Sequence, residues 1–159
     1  TAGNVPKPIQ TGFEMMALLK ENRIKVIKAK KDSRFGLIAT KSEKEIVLLT
    51  YNYEESESEK ITGNDEIKIE LNGLKKSTSY QIKTIILDKE NNNTFQKWIE
   101  IGSPKNSKSI NLSQIKEAGK LAYSKIINFK TDDEGKISFD LPLMKRSAKL
   151  MIIKMNHIP

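Results

Sequence analysis

Twenty carboxylates are the first potentially catalytic side chains to weigh in this 159-residue chain. Two of them acting together can supply general acid and base at a glycosidic bond, provided they sit about 5–10 Å apart across a cleft. Glu54, Glu55, Glu90 and Glu100 are the candidates. Any chain with 20 acids offers such pairs, however, and nothing in the sequence gives these burial or a cleft, so each reads as a solvated surface group. His157 is the only histidine, third from the end, so neither a His-based triad nor a multi-His metal site can be assembled. The absence of cysteine excludes disulfides and thiolate metal ligation. Eight glycines form no phosphate-cradling loop. Asp132-Asp133-Glu134-Gly135 has carboxylates and a glycine but not the spacing of a calcium loop, and reads as a turn. The residues therefore assign no catalytic group, no metal and no cofactor.

The aromatics offer a different chemistry, a stacking platform for a sugar. Tyr51, Tyr53 and Tyr80 fall on expected strands, while Phe95 and Trp98, three apart on a short helical segment, share one face. Core packing is the default for such a pair, since Trp is usually largely buried. On that reading Trp98→Ala costs about 3–5 kcal/mol. The net charge of +8 invites a nucleic-acid partner, but Lys supplies 25 of the 28 cations and the arginines are only Arg23, Arg34 and Arg146. Without an Arg cluster or interleaved aromatics, a solvated Lys-rich surface is expected, with no specific nucleic-acid binding.

The elements that must position these residues follow from periodicity. Pro6 and Pro8 suit a helix entry, and Ile9, Phe13, Met16 and Leu19 then place one apolar stripe on a helix from about Pro8 to Glu21. Period-two segments recur from Ile24: residues 24–29, 35–40, 45–53, 67–71, 80–87, 125–130, 136–141 and 149–155. Glu45 to Tyr53 is apolar nearly throughout, as a central strand covered on both faces would be. The acidic run from Glu54 to Glu59 reads as a solvated loop, and the Asp132–Gly135 turn as a hairpin connection. Asn91-Asn92-Asn93 is a turn or N-cap, with Thr94 to Ile101 forming one or two helical turns. Leu112, Ile115, Ala118, Leu121 and Ala122 describe a second helix.

These segments predict a mainly β protein, an antiparallel β-sandwich of about eight strands with an N-terminal helix and one or two short helices. The expected division is an N-terminal helix over 1–22 and a sandwich over 23–159. The length suits one core, and is short of the roughly 250 residues of a (β/α)₈ barrel. No apolar stretch approaches the roughly 20 residues of a bilayer span, no membrane partner is expected, and a bacterial cytoplasmic location is the expectation.

Three segments in order carry a resemblance. They are Thr1-Ala2-Gly3-Asn4-Val5-Pro6-Lys7-Pro8 with Phe13 and Leu19, then Leu48-Leu49-Thr50-Tyr51-Asn52-Tyr53, and then Leu87 to Pro104 (LDKENNNTFQKWIEIGSP). The third runs Asp88, Asn93, Phe95, Trp98 and Gly102-Ser103-Pro104, and it is the most specific. Together they resemble the C-terminal part of glycoside hydrolase family 39, the β-xylosidase and α-L-iduronidase family. Asn91 stands where a His is expected in xylosidase-like members. The resemblance implies a non-catalytic β-sandwich that supports a catalytic TIM barrel of the same parent, preceded by that barrel's last helix. The family's catalytic glutamates lie in barrel segments, so none is carried over to this chain. Asn93, Phe95 and Trp98 are implied as cleft-rim or interface residues, with a sugar as a further partner. Two other readings differ in class: the family-39-like module of an AraC-type transcription regulator, and an autonomous carbohydrate-binding module. The last of these requires Trp98, Phe95 or a tyrosine exposed and coplanar on a flat face. The accessory-sandwich reading requires that the Ile9/Phe13/Met16 face of the helix be left exposed or covered by a neighbouring molecule, and not by this chain's own sandwich.

Overall fold

The computed structural model describes residues 7–28, 32, 34–54, 63–104, 112–124 and 126–156. Expectations resting on Thr1–Pro6, Lys30-Lys31, Glu55–Glu59 and His157 lie outside them. Within them are three helices, α1 (Pro8–Ala17), α2 (Thr94–Glu100) and α3 (Leu112–Ala118). The strands are β1 (Asn22–Arg23), β2 (Phe35–Lys41), β3 (Glu45–Asn52), β4 (Asn64–Leu71), β5 (Ser79–Leu87), β6 (Ile127–Lys130), β7 (Ile137–Met144) and β8 (Ser147–Met155). All pairings are antiparallel, in a six-stranded sheet of order β1-β2-β3-β8-β5-β6 and a two-stranded sheet β4-β7. The mainly β expectation is met.

β3 explains the architecture. It lies between β2 and β8, and its alternate side chains enter two separate cores. Leu48 joins Tyr80, Ile82, Met151 and Ile153 against Ile69, Ile137, Leu141 and Leu143 of the small sheet. On the opposite face Val47 and Leu49 join Ile85 and Leu150 around Met15 of α1. A strand buried on both faces has to be apolar at nearly every position, as Glu45–Asn52 is. Tyr51 at its end lies over Gly36, directly across on β2; a Cβ there would stand inside the tyrosine ring.

The structure corrects four local expectations. Residues 24–28 are not a strand: pairing stops at Arg23, a last bond runs from Ile24 N–H to the Ala39 carbonyl, and Ile27 projects into solvent. Asp132–Gly135 is a turn but not a hairpin, because β6 pairs with β5 in the large sheet while β7 pairs with β4 in the small one. The turn carries the chain from one sheet to the other. Asp132 Oδ1 accepts from the Glu134 and Lys136 amides, and Gly135, at φ +78°, sits so close to the Leu74 carbonyl that a side chain would clash. The first helix stops at Ala17 rather than Glu21, and the Lys20 amide is taken by Thr40 Oγ1. The third helix ends at Ala118, before Gly119.

At the open end of β3, Glu45 pairs with Lys20 and, at 2.8 Å, with Lys154. Burial works to raise its pKa, but the bonds from Lys154 and Lys20 outweigh it and hold the carboxyl below its ordinary value. A lowered folded pKa adds stability that is fully present above the unfolded value, about 4.3, and is lost as pH falls through the folded one. Wild type should therefore exceed Glu45→Gln in stability at neutral pH, with the gap closing in acid. Urea unfolding at a series of pH values measures it, and a pH-independent gap would exclude this role.

Candidate functional site

The chemistry-bearing part of the chain is the segment after β5, and its geometry is set by four side chains. Asp88, buried, accepts at Oδ1 from the Glu90 amide (2.8 Å), the Asn91 amide (2.7 Å) and Asn91 Nδ2 (3.0 Å). Asn93 donates back to the Asp88 carbonyl (2.9 Å), and its Oδ1 accepts from the Phe95 and Gln96 amides, capping α2. Asn92, in the left-handed region at φ 53°, joins three elements. Its Nδ2 donates to the Ile86 carbonyl (2.6 Å), its Oδ1 accepts from the Ala122 amide (2.9 Å), and its carbonyl accepts from Thr11 of α1 (3.3 Å). The turn and cap expected at Asn91–Asn93 are thus present, each asparagine doing a separate job.

Of the residues implied as cleft rim or interface, Asn93 is half-buried with its amide spent on the cap. Phe95 and Trp98 stack on one another, centroids 5.7 Å apart and planes 23° apart. Phe95 is 57% exposed. Trp98 is half-buried rather than a core residue, its Nε1 donating to the Pro104 carbonyl at 3.4 Å. The full core-truncation cost expected for Trp98→Ala therefore does not apply. Stacked rings also present one aromatic face over another, not the side-by-side platform that a carbohydrate-binding module needs. Glu90 and Glu100 are exposed and Glu54 half-buried; none is a buried carboxylate of catalytic type. Among the described residues no group of three His, Cys, Asp or Glu side chains could hold a metal ion. No described helix is long and apolar enough to cross a membrane.

The expected helix face is where it was placed. Ile9 and Phe13 are each 61% exposed and Met16 is exposed too, while Thr11 and Met15 are buried against the sheet. Leu19 departs from the stripe and packs on the Met15 core. α1 is thus apolar on two sides, one covered and one not.

Sequence reasoning missed a cleft of about 290 Å³ where α2 and α3 meet the outer end of β5. Gln96, Lys97 and Glu100 line it from α2, Glu117 from α3, and Lys120 and Tyr123 from the segment after α3. Lys97 pairs with Glu100 (3.2 Å) along α2, and Lys120, two residues past the end of α3, pairs back to Glu117 (2.6 Å). The i, i+3 spacing of both pairs is legible in the sequence; that the two helices face each other is not.

A family model, Glycosyl hydrolases family 39, matches residues 1–134. A β-xylosidase of Caldicellulosiruptor saccharolyticus is 27% identical over 150 residues, which are 94% of this chain and 30% of that protein. The fold is similar to that of a monomeric β-xylosidase from Caulobacter crescentus CB15, with a TM-score of 0.76 at 14% identity over 94% of this chain and 31% of that one. It is also similar to a bacterial orthologue of human α-L-iduronidase, with a TM-score of 0.75 at 18% identity over 98% and 28%. The chain spans about 30% of the length of the curated relative it matches.

Proposed function

This chain belongs to glycosyl hydrolase family 39, and from that premise we propose that it is the non-catalytic β-sandwich of a β-xylosidase-like parent, supporting a catalytic TIM barrel of the same protein. The observation that carries this reading is the uncovered face of α1. Ile9, Phe13 and Met16 point away from a sheet that the same helix covers with Thr11 and Met15. Exposed large apolar groups grouped on one helix face mark an interaction surface, and a partner of fixed position, present in every copy of the parent, is the simplest cover. Asp32, Glu45 and Glu70 are each held ionised by a basic partner, which suits an ion-pairing role and not that of a general acid near neutral pH. The proposal includes a cytoplasmic location, tested by fractionating cells that express the parent.

The 159-residue chain is expected to release no chromophore from aryl β-xylosides, while the parent does so. Turnover by the chain alone, abolished by a single Glu→Gln change, would refute the accessory role.

A further inference from the structure

We infer that the cleft between α2 and α3 is a binding subsite for one neutral pyranose ring. Its size is the first argument. About 290 Å³ lies at the small end of ligand cavities, room for a single sugar ring. Charge is the second. Five ionised side chains line the cleft, and four of them cancel as the Lys97–Glu100 and Lys120–Glu117 pairs, leaving the carboxylate of Glu90. An anionic ligand would meet that residual negative charge, and a cationic one would have to compete with lysines already paired to the other two acids. A polyhydroxylated neutral ligand can do what neither ion can: donate to the carboxylates and accept from the ammonium groups without breaking either pair. Gln96 adds an amide that both donates and accepts.

Tyr123 supplies the apolar half. It is 50% exposed at the cleft, a flat ring of the kind that packs on the C–H face of a pyranose while its hydroxyl stays wet. It is also held in place. Tyr123 bridges to Ile85 of β5, the next residue donates its amide to the Thr84 carbonyl at 2.8 Å, and the Ala122 amide before it is bound by Asn92. An aromatic on a backbone fixed from both sides binds with little ordering cost. The inference does not depend on the accessory role: the subsite would stand whether or not the chain acts on its ligand.

The test is a ¹H–¹⁵N NMR titration of the 159-residue chain with methyl β-D-xylopyranoside, methyl β-D-glucopyranoside and methyl β-D-glucuronide. A neutral glycoside is expected to bind at about 1–10 mM, as suits one ring with few anchors, shifting amides at Thr84, Glu90–Asn93, Gln96–Glu100 and Glu117–Ser124. Tyr123→Ala should weaken this at least about tenfold. Phe95→Ala, on the other side of α2, should leave it unchanged. Should Tyr123→Ala lose its dispersed spectrum, Gln96→Ala makes the same comparison, with several-fold weaker binding expected. Three results would overturn the inference: no cleft shifts with either neutral glycoside at about 50 mM, well above the expected range; tighter binding of the glucuronide; or shifts centred on Phe95 and Trp98 instead. Activity is not read, so failure here is separate from failure of the accessory role.

Discussion

Met15→Ala is expected to cost the 159-residue chain about 2–5 kcal/mol, whereas Phe13→Asp, two residues earlier on the same helix, should change its stability by no more than about 0.5 kcal/mol. Met15 is fully buried among Val47, Leu49, Ile85 and Leu150, so truncation forfeits its transfer free energy and leaves a cavity in a core walled by three central strands. β-sheet backbone cannot collapse into that space without breaking the pairing of β3 with β8 and of β5 with β8, which places the cost toward the upper end. Phe13 is 61% exposed, and Asp and Phe differ little in helix propensity, so nothing comparable is lost there. Urea unfolding of both variants at one pH measures the contrast. Equal destabilisation by the two changes would mean that α1 buries its Phe13 side within this chain.

That contrast also marks what was legible in the sequence. The spacing of Ile9, Phe13 and Met16 announces a helix and an apolar stripe, but the docked side is set by Met15 and Thr11, which lie off the stripe. A polar Thr11 becomes buried because the Asn92 carbonyl receives its hydroxyl, a partner 81 residues away that no local pattern announces. Strand positions were readable because alternation is local. β4, β5 and β8 lie where the period-two segments fall. Partner choice is not local. Asp132–Gly135 has the turn chemistry of a hairpin, yet Ile137, Leu141 and Leu143 find their apolar cover by pairing with β4 and facing the large sheet. Residues 24–28 alternate like a strand, yet the ladder stops at Arg23 with one last bond from Ile24, since alternation describes what a strand needs and not whether a neighbour is offered.

The candidate site divides in the same way. The Asn91–Asn93 cap was readable because Asx turns and N-caps are satisfied within three residues. The cleft was not, because its lining comes from β5, two helices and the segment around Tyr123, brought together by the hydrogen bonds of one asparagine side chain. Trp98 shows the limit of a residue-type prior. Its bulk argues for the core, but α2 is a seven-residue helix with one side toward α3 and the cleft, so the stacked pair stays partly in solvent.

In the full-length parent, the same Phe13→Asp change that leaves this chain intact is expected to uncouple the sandwich from the rest of the protein. Fully burying a Phe side chain contributes about 1.5–3 kcal/mol, and Ile9 and Met16 beside it bring comparable apolar groups to the same face. Asp at that position loses the Phe contribution and also places an unpaired carboxylate in a dry interface, which costs several kcal/mol more. Together these exceed what an interface between two parts of one chain can absorb when its surplus is a few kcal/mol. Calorimetry should then show one cooperative transition for the wild-type parent and two for the variant, the first at a lower temperature. Hydrolysis of an aryl β-xyloside should be lost faster on heating, while KM stays unchanged, as the proposed role of this face as a contact between two parts of the parent requires. Lys7→Glu, an exposed change just before the helix, serves as the control for added charge alone. A single unshifted transition in the Phe13→Asp parent would mean that this face of α1 is not where the sandwich meets its partner.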